Sequence, residues 1–326
     1  MLYLIYLPVL TSLLLLYFKL ADRYGIIDKP NHRSSHQRVT IRGGGIILPI
    51  ALLIQSLISG FEYPLFTSGL ALISLVSFYD DIRPLSNKIR LLVHLISVSL
   101  LFMETGLTGF APWILLFSYV LVIGTINAYN FMDGINGITG TYSLLIISTL
   151  YFINENIISF GSSNWLIVTV LSLMVFNYFN FRKSARCFAG DVGSISLAFI
   201  IIFFLLQLIL QSMNLKYIGF LLFYGLDSVS TIVFRLIRKE NIFEAHRSHF
   251  YQYLANVKGW PHLWVSALYM FVQLVYNLII IYSEWTGLEF LIFIVISGIV
   301  FVSIRLGLEG RVNLMGTKLD NEQISN

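Results

Sequence analysis

The chain has 326 residues, 57% of them hydrophobic and only 12% charged, with a formal net charge of +4 at pH 7. A soluble globule carries about a quarter charged residues; with mean hydropathy at +0.79, the composition excludes one and indicates a polytopic membrane protein. The pI near 9.0 then reports loops on one membrane face and attraction to anionic lipid, with no nucleic-acid partner expected.

Apolar runs long enough to cross the hydrocarbon core as helices fall near 2–20, 43–60, 64–79, 89–105, 111–129, 137–153, 164–180, 194–212, 217–234, 262–282 and 288–305. They predict an all-α transmembrane bundle of about eleven spans, in one domain over 1–326. The fourth run is crowded at its start by Lys88, Arg90 and His94. If the N-terminus faces out, 20 of the 21 Lys and Arg residues fall on inside segments and only Lys216 on the outside. The positive-inside rule therefore predicts an N-out, C-in topology. The first run has neither a basic leader nor a small-residue cleavage site, and reads as a retained helix. A single Cys187 excludes an intrachain disulfide and any cysteine metal cluster.

The inside loops carry the chemistry. The first, over 19–42, holds His32, His36, Lys29, Arg33, Arg38 and Arg42 and reads as a basic anchor. Gly43, Gly44 and Gly45 then enter the second span, and would leave helix-terminal N–H groups free to meet an anion. The third span ends in adjacent Asp80 and Asp81, followed by Arg83, Lys88 and Arg90. Two such carboxylates repel unless a cation, a basic partner or water compensates them. They suit a helix cap, or else a proton acceptor or metal binder beside a cationic phosphate clamp.

Next comes NAYNFMDGINGITG over 127–140. Asn127, Asn130 and Asp133 share one face if the fifth helix continues, and Gly134 and Gly137 then break it. Amide and carboxylate oxygens are hard ligands suited to Mg²⁺, and Asn side chains also match a nucleobase edge. In FAGDVGS, Asp191 is placed to cap the eighth span or to hold a divalent cation, and Phe188 to enter the core or offer a stacking face. A basic loop presents His246, Arg247 and His249, readable as an amphipathic surface helix, an incomplete zinc pair or an anion clamp. Asp227, inside the ninth span, is an intramembrane charge with a pairing or functional role by default. No chemistry is legible in the last two spans or the tail.

All five polar clusters fall on one expected membrane face. Acids for a divalent cation, amides and an aromatic for a base, and Arg and His for phosphate together describe a nucleotide-diphosphate site. Its place at the membrane surface makes a lipid the second substrate. An ion-coupled carrier is the rival class, but it puts such residues at the bilayer midplane.

The motifs GGG, DDIRPLSNKIRLL, NAYNFMDGINGI, FAGDVGS and HRSH, in this order from about Gly25 to Gln252, resemble the polyprenyl-phosphate N-acetylhexosamine-1-phosphate transferases of glycosyltransferase family 4. The O-antigen-initiating subgroup is the most similar. The resemblance implies a multi-pass enzyme of the inner membrane. It would move a sugar-1-phosphate from a UDP-sugar to undecaprenyl phosphate, with Mg²⁺ as cofactor and UMP as product. It also implies roles: Asp80 as base with Asp81 in support, and Asn130 and Asp191 as magnesium ligands. Asn136, Phe188 and Asp133 fall at nucleotide contacts, and Arg90, His246, Arg247 and His249 at contacts to the diphosphate and sugar. Relatives of this kind suggest a homodimer. Two departures are visible. Asn136 stands where many bacterial members have Asp, and HRSHFYQ resembles the subgroup acting on modified sugars such as N-acetylfucosamine or N-acetylquinovosamine.

Overall fold

The computed structural model describes residues 2–28, 39–242 and 246–316. Lys29, His32, Arg33, His36 and Arg38 of the first loop lie outside the described residues. Eleven α-helices of twelve residues or more are present among them, one at each apolar run. They are α1 (Tyr6–Tyr24), α2 (Ile47–Ile58), α3 (Pro64–Ile82), α4 (Asn87–Thr105), α5 (Pro112–Phe131), α6 (Ile138–Asn156), α7 (Ser163–Asn180), α8 (Gly190–Ser212) and α9 (Leu222–Ile237). After one short turn, α10 (Phe250–Gln252), follow α11 (His262–Tyr282) and α12 (Gly287–Glu309). Their limits follow local chemistry. Proline opens α3 and α5, where no N–H partner is needed. Gly25 and Gly106 close α1 and α4 in the left-handed conformation that glycine adopts at least cost.

By length and composition six helical segments can cross a membrane: α3, α5, α8, Leu215–Ile237, α11 and α12. That is fewer than the eleven expected from the apolar runs. The other five helices are shorter or more polar; α2 has 12 residues, and α4 carries Lys88, Arg90 and Glu104.

α8 is the axis of the fold. Every residue from Val192 to Leu205 is buried, as expected for a helix that is apolar all round. It packs against α2, α3, α5 and α6. Phe66 of α3 stacks on Phe203 of α8 with ring centroids 3.9 Å apart. In contrast, α5 and α12 bury few of their residues, the pattern of helices bordering lipid.

One short strand pair locates the site. β1 (Ile27–Asp28) pairs antiparallel with β2 (Thr40–Ile41), and Ile41 bridges in parallel to Cys187. The Gly44 and Gly45 amides donate to the Phe188 and Ala189 carbonyls at 2.8 and 3.1 Å. The glycine run is thus laid along the entry to α8. Its amides are bound to backbone, so the expected free anion nest is absent at Gly44 and Gly45. Glycine is needed there because the chains touch: a Cβ on Gly45 would lie 2.4 Å from the Gly193 Cα.

Candidate active site

The end of α3 meets the start of α8. Asp81 Oδ1 accepts from the Asp191 N–H at 2.9 Å and Oδ2 from the Val192 N–H at 3.0 Å. A carboxylate from 110 positions earlier thus caps the positive end of α8. Arg42 Nε donates to Asp81 Oδ1 at 2.7 Å, and the same guanidinium lies 3.8 Å from Asp191 Oδ1. Arg42 is itself held through its carbonyl, which accepts from the Tyr17 hydroxyl at 2.6 Å. Gly190 makes this junction possible. Its φ is +71°, and a Cβ there would meet Asp81 Oδ2 at 2.6 Å and the Gly43 backbone at 2.8 Å.

Asp80, one position earlier, points elsewhere. Its Oδ1 accepts from the Leu85 N–H and its Oδ2 lies 3.3 Å from Arg90 Nη1. Its carboxyl also lies near the Asp191 carboxyl. Two neighbouring carboxyl groups need a proton or a cation between them. The Asp191 side chain keeps 19% of its surface exposed, so this pair is open to a ligand.

The asparagine loop completes the other side. α5 stops at Phe131, so Asp133 leaves the helix and does not share a face with Asn127, which is exposed. Asn130 stays on α5, and its Oδ1 accepts from Ser194 Oγ at 2.7 Å, one turn beyond Asp191. Asp133 lies beside the Thr139 hydroxyl and near Asp81; burial pushes its carboxyl up to about 6. Asn136 is buried and turned away: its Nδ2 donates to the Arg182 carbonyl at 2.9 Å. Phe188 is half-buried, with its N–H bonded to the Ile41 carbonyl.

The histidine loop reaches the same region through aromatic contacts. The Tyr251 hydroxyl donates to the Phe131 carbonyl at 2.9 Å, and its oxygen would clash with any Cβ on Gly134. The His246 ring lies 6.0 Å from Phe131 and 4.9 Å from His249. Burial, with His249 adding to it, pushes the His246 imidazole down to about 4. His249 is 2% exposed, and its Nδ1 lies 3.4 Å from Asp227 Oδ1. Arg247 is exposed.

Asp80, Asp81, Arg90, Asn130, Asp133 and Asp191 therefore gather at the α3–α5–α8 junction, with His246 and His249 adjoining through Phe131 and Tyr251. Asn136 faces the 182–183 backbone, and Arg247 faces outward. Two residues escaped the sequence-level site. Arg42 was grouped with the basic anchor, and its adjacency to the triglycine was the available signal. Arg305 on α12, 1% exposed, reaches Ser230 Oγ, Thr231 Oγ1 and the Ser248 carbonyl at 2.8–2.9 Å; nothing local marked it.

Among the described residues no three His, Cys, Asp or Glu side chains converge as a ready metal cluster. The partly exposed Asp191 carboxyl and the Asn130 amide oxygen, which also accepts from Ser194, are hard donors of the kind that fit Mg²⁺, which uses one or two carboxylates and takes its remaining ligands from water and substrate phosphates.

Residues 63–209 match the family model described as Glycosyl transferase family 4. The chain is 24% identical over 323 residues to a probable undecaprenyl-phosphate N-acetylglucosaminyl 1-phosphate transferase of Bacillus subtilis, covering 90% of this chain and 87% of the relative. It is 29% identical over 208 residues to an undecaprenyl-phosphate alpha-N-acetylglucosaminyl 1-phosphate transferase of Yersinia pestis, covering 58% and 57%. A protein of the same description from Escherichia coli K12 is 27% identical over 221 residues, covering 61% and 60%. The region similar to the glycosyl transferase family 4 model holds α3, α5 and the start of α8, which carry the acidic junction.

Proposed function

We propose that this protein transfers an N-acetylhexosamine-1-phosphate from a UDP-sugar to undecaprenyl phosphate. UMP leaves, and a lipid-linked diphosphate sugar remains to start an O-antigen or other cell-envelope polysaccharide. The observation that carries this is the gathering of Asp80, Asp81 and Asp191 at the positive end of α8, flanked by Arg42 and Arg90. That is an arrangement for anionic phosphates and a divalent cation, and the names of the relatives agree with it.

In this reading a phosphate oxygen of the lipid attacks the β-phosphorus, the bond from that phosphorus to the bridging oxygen breaks, and UMP departs with the electron pair. Asp80 takes the proton from a protonated lipid phosphate. Arg42 and Arg90 hold the charges of the two phosphate groups against each other's repulsion. Asp81 is fully engaged by two amides and Arg42, so its work is to fix the α8 end rather than to move a proton. Asp191 and Asn130 would hold Mg²⁺, which when bound supplies charge stabilisation at the diphosphate. Phe188, Asp133 and Asn136 would hold the uridine, Asn136 through the 182–183 backbone it fixes. His246, Arg247 and His249 would face the diphosphate and sugar.

The eleven helices then act as spans in an N-out, C-in inner-membrane protein, and the working unit is a homodimer. The HRSH loop favours a modified sugar such as N-acetylfucosamine or N-acetylquinovosamine over the N-acetylglucosamine named for the relatives. The test is UMP release by the purified protein with undecaprenyl phosphate, Mg²⁺ and a panel of UDP-N-acetylhexosamines. Release that needs lipid and metal, from one sugar above the rest, is the expected result. UDP-sugar uptake into vesicles without UMP release would replace the transferase with a carrier.

A further inference from the structure

Asp227 is buried completely within α9, and donors surround its carboxylate. Oδ1 accepts from the Phe250 N–H at 2.8 Å and from Thr231 Oγ1 at 3.2 Å. Oδ2 accepts from the Tyr251 N–H at 3.2 Å and the Tyr269 hydroxyl at 2.6 Å. Arg305 Nη1 lies 3.8 Å from Oδ1 and His249 Nδ1 lies 3.4 Å from it. The two groups around Asp227 also grip the loop that bears the histidines. Arg305 Nη2 donates to the Ser248 carbonyl at 2.8 Å, and Glu309 braces the same guanidinium.

His249 is the exception in this otherwise satisfied cluster. Its side chain is 3% exposed, and neither ring nitrogen has a hydrogen-bond partner among the described residues, Nδ1 lying at ion-pair distance from Asp227 and Nε2 apart from it. A buried polar nitrogen left without a partner is costly, and one next to a candidate site is accounted for by a ligand that meets it when bound. Nδ1 lies 3.4 Å from Asp227, and the ring sits 4.9 Å from that of His246, which neighbours Phe131 beside the acidic junction.

We propose that Asp227, held by Arg305 and Tyr269, is a positioning residue for the transfer. It fixes the His249 ring so that Nε2 is presented to a phosphate oxygen of the donor diphosphate. Arg305 does the same for the backbone by clamping Ser248. This rests on the transferase reading. It gives a function to an intramembrane carboxylate and to an arginine on α12 that the transfer step itself does not touch.

A double-mutant cycle in the full-length protein separates positioning from simple structural support. His249→Ala and Asp227→Asn are each expected to lower kcat/KM for the UDP-sugar at least about tenfold, the scale of one lost charged hydrogen bond. The double variant should be no worse than His249→Ala alone, because Asp227 has nothing left to position. Multiplying losses would overturn the proposal, as would a wild-type rate in His249→Ala. If Asp227→Asn does not fold, Tyr269→Phe decides the matter: it removes one hydroxyl from the carboxylate and should slow the wild type but not His249→Ala. Equal slowing in both backgrounds would overturn the proposal. No UMP release by the wild type would sink the transferase reading and this one with it, whereas multiplied losses in an active enzyme sink only the positioning role.

Discussion

Asp81 on α3 and Asp227 on α9 do the same structural work at two places. Each carboxylate takes two successive backbone N–H groups at the start of a helical segment, and each lies beside an arginine. What differs is what stands next to them. Around Asp227 the arginine is 1% exposed and the remaining oxygens meet Tyr269 and Thr231, so the cluster is closed. Around Asp81 two further carboxyls, Asp80 and Asp191, lie near each other, and the Arg42 side chain is 37% exposed. One capping device serves architecture in both places; beside Asp81 a partly exposed carboxyl and arginine stay within direct reach of a ligand, whereas Asp227 can act only through the His249 ring next to it.

The sharpest way to break this comparison is to remove the closed carboxylate. Asp227→Ala strands a buried arginine and two amides, and should cost about 3–5 kcal/mol of stability, read as a loss of thermal unfolding temperature in detergent. A loss no larger than that of an exposed substitution would mean that the Asp227 cluster is wet. On the open side the expectation reverses. Asp191→Asn keeps the helix start and its N–H bond to Asp81, yet removes the charge near Asp80. Losing even an outer partner of a metal ligand costs about 10–100-fold, so turnover should fall by more than about 100-fold with unfolding unchanged. Near-normal UMP release at saturating Mg²⁺ would take Asp191 out of the metal-binding role.

The helices were legible because the bilayer demands apolar runs of a fixed length, and proline and glycine punctuate them. The candidate acids were legible as residue types, since an Asp-Asp pair and a Gly-Asp at a membrane edge are anomalies that call for partners. Their division of labour was not. Asp80 and Asp81 look alike in sequence, and only the fold turns one toward α8 and the other toward Arg90. The triglycine was read as an anion nest, when the constraint is backbone contact with Gly190 and Gly193. Arg305 is hard to read from sequence because, Glu309 aside, its partners lie some 57–78 positions away, and the run around it reads as an ordinary span.

Gly190 offers a finer test of the open junction. Gly190→Ala forces a side chain into a left-handed backbone, a cost of about 1–2 kcal/mol, and sets its Cβ against the Asp81 carboxylate and the Gly43 backbone. Stability and turnover should fall together, since the cap and the acidic pair share this residue. If stability falls alone, the Asp80–Asp191 pair is independent of the cap and the two acids of α3 are uncoupled.

The smallest effect concerns Asp133, whose carboxyl burial raises from 3.8 to about 6. Unlike Asp81 and Asp227, it has the Thr139 hydroxyl beside it in place of a pair of backbone amides. Below the lower value it is protonated in both the folded and unfolded chain. As pH rises toward 6 the unfolded chain ionises first, so this group's contribution to stability falls, by at most about 1.4 kcal/mol per pH unit. Unfolding measured between pH 4 and 6 should show that decline in the wild type and lose its share of it in Asp133→Asn. If the two slopes are identical, Asp133 is already ionised when folded. It would then need the same compensation as Asp80 and Asp191, and the open region would extend from the α3–α8 junction into the asparagine loop.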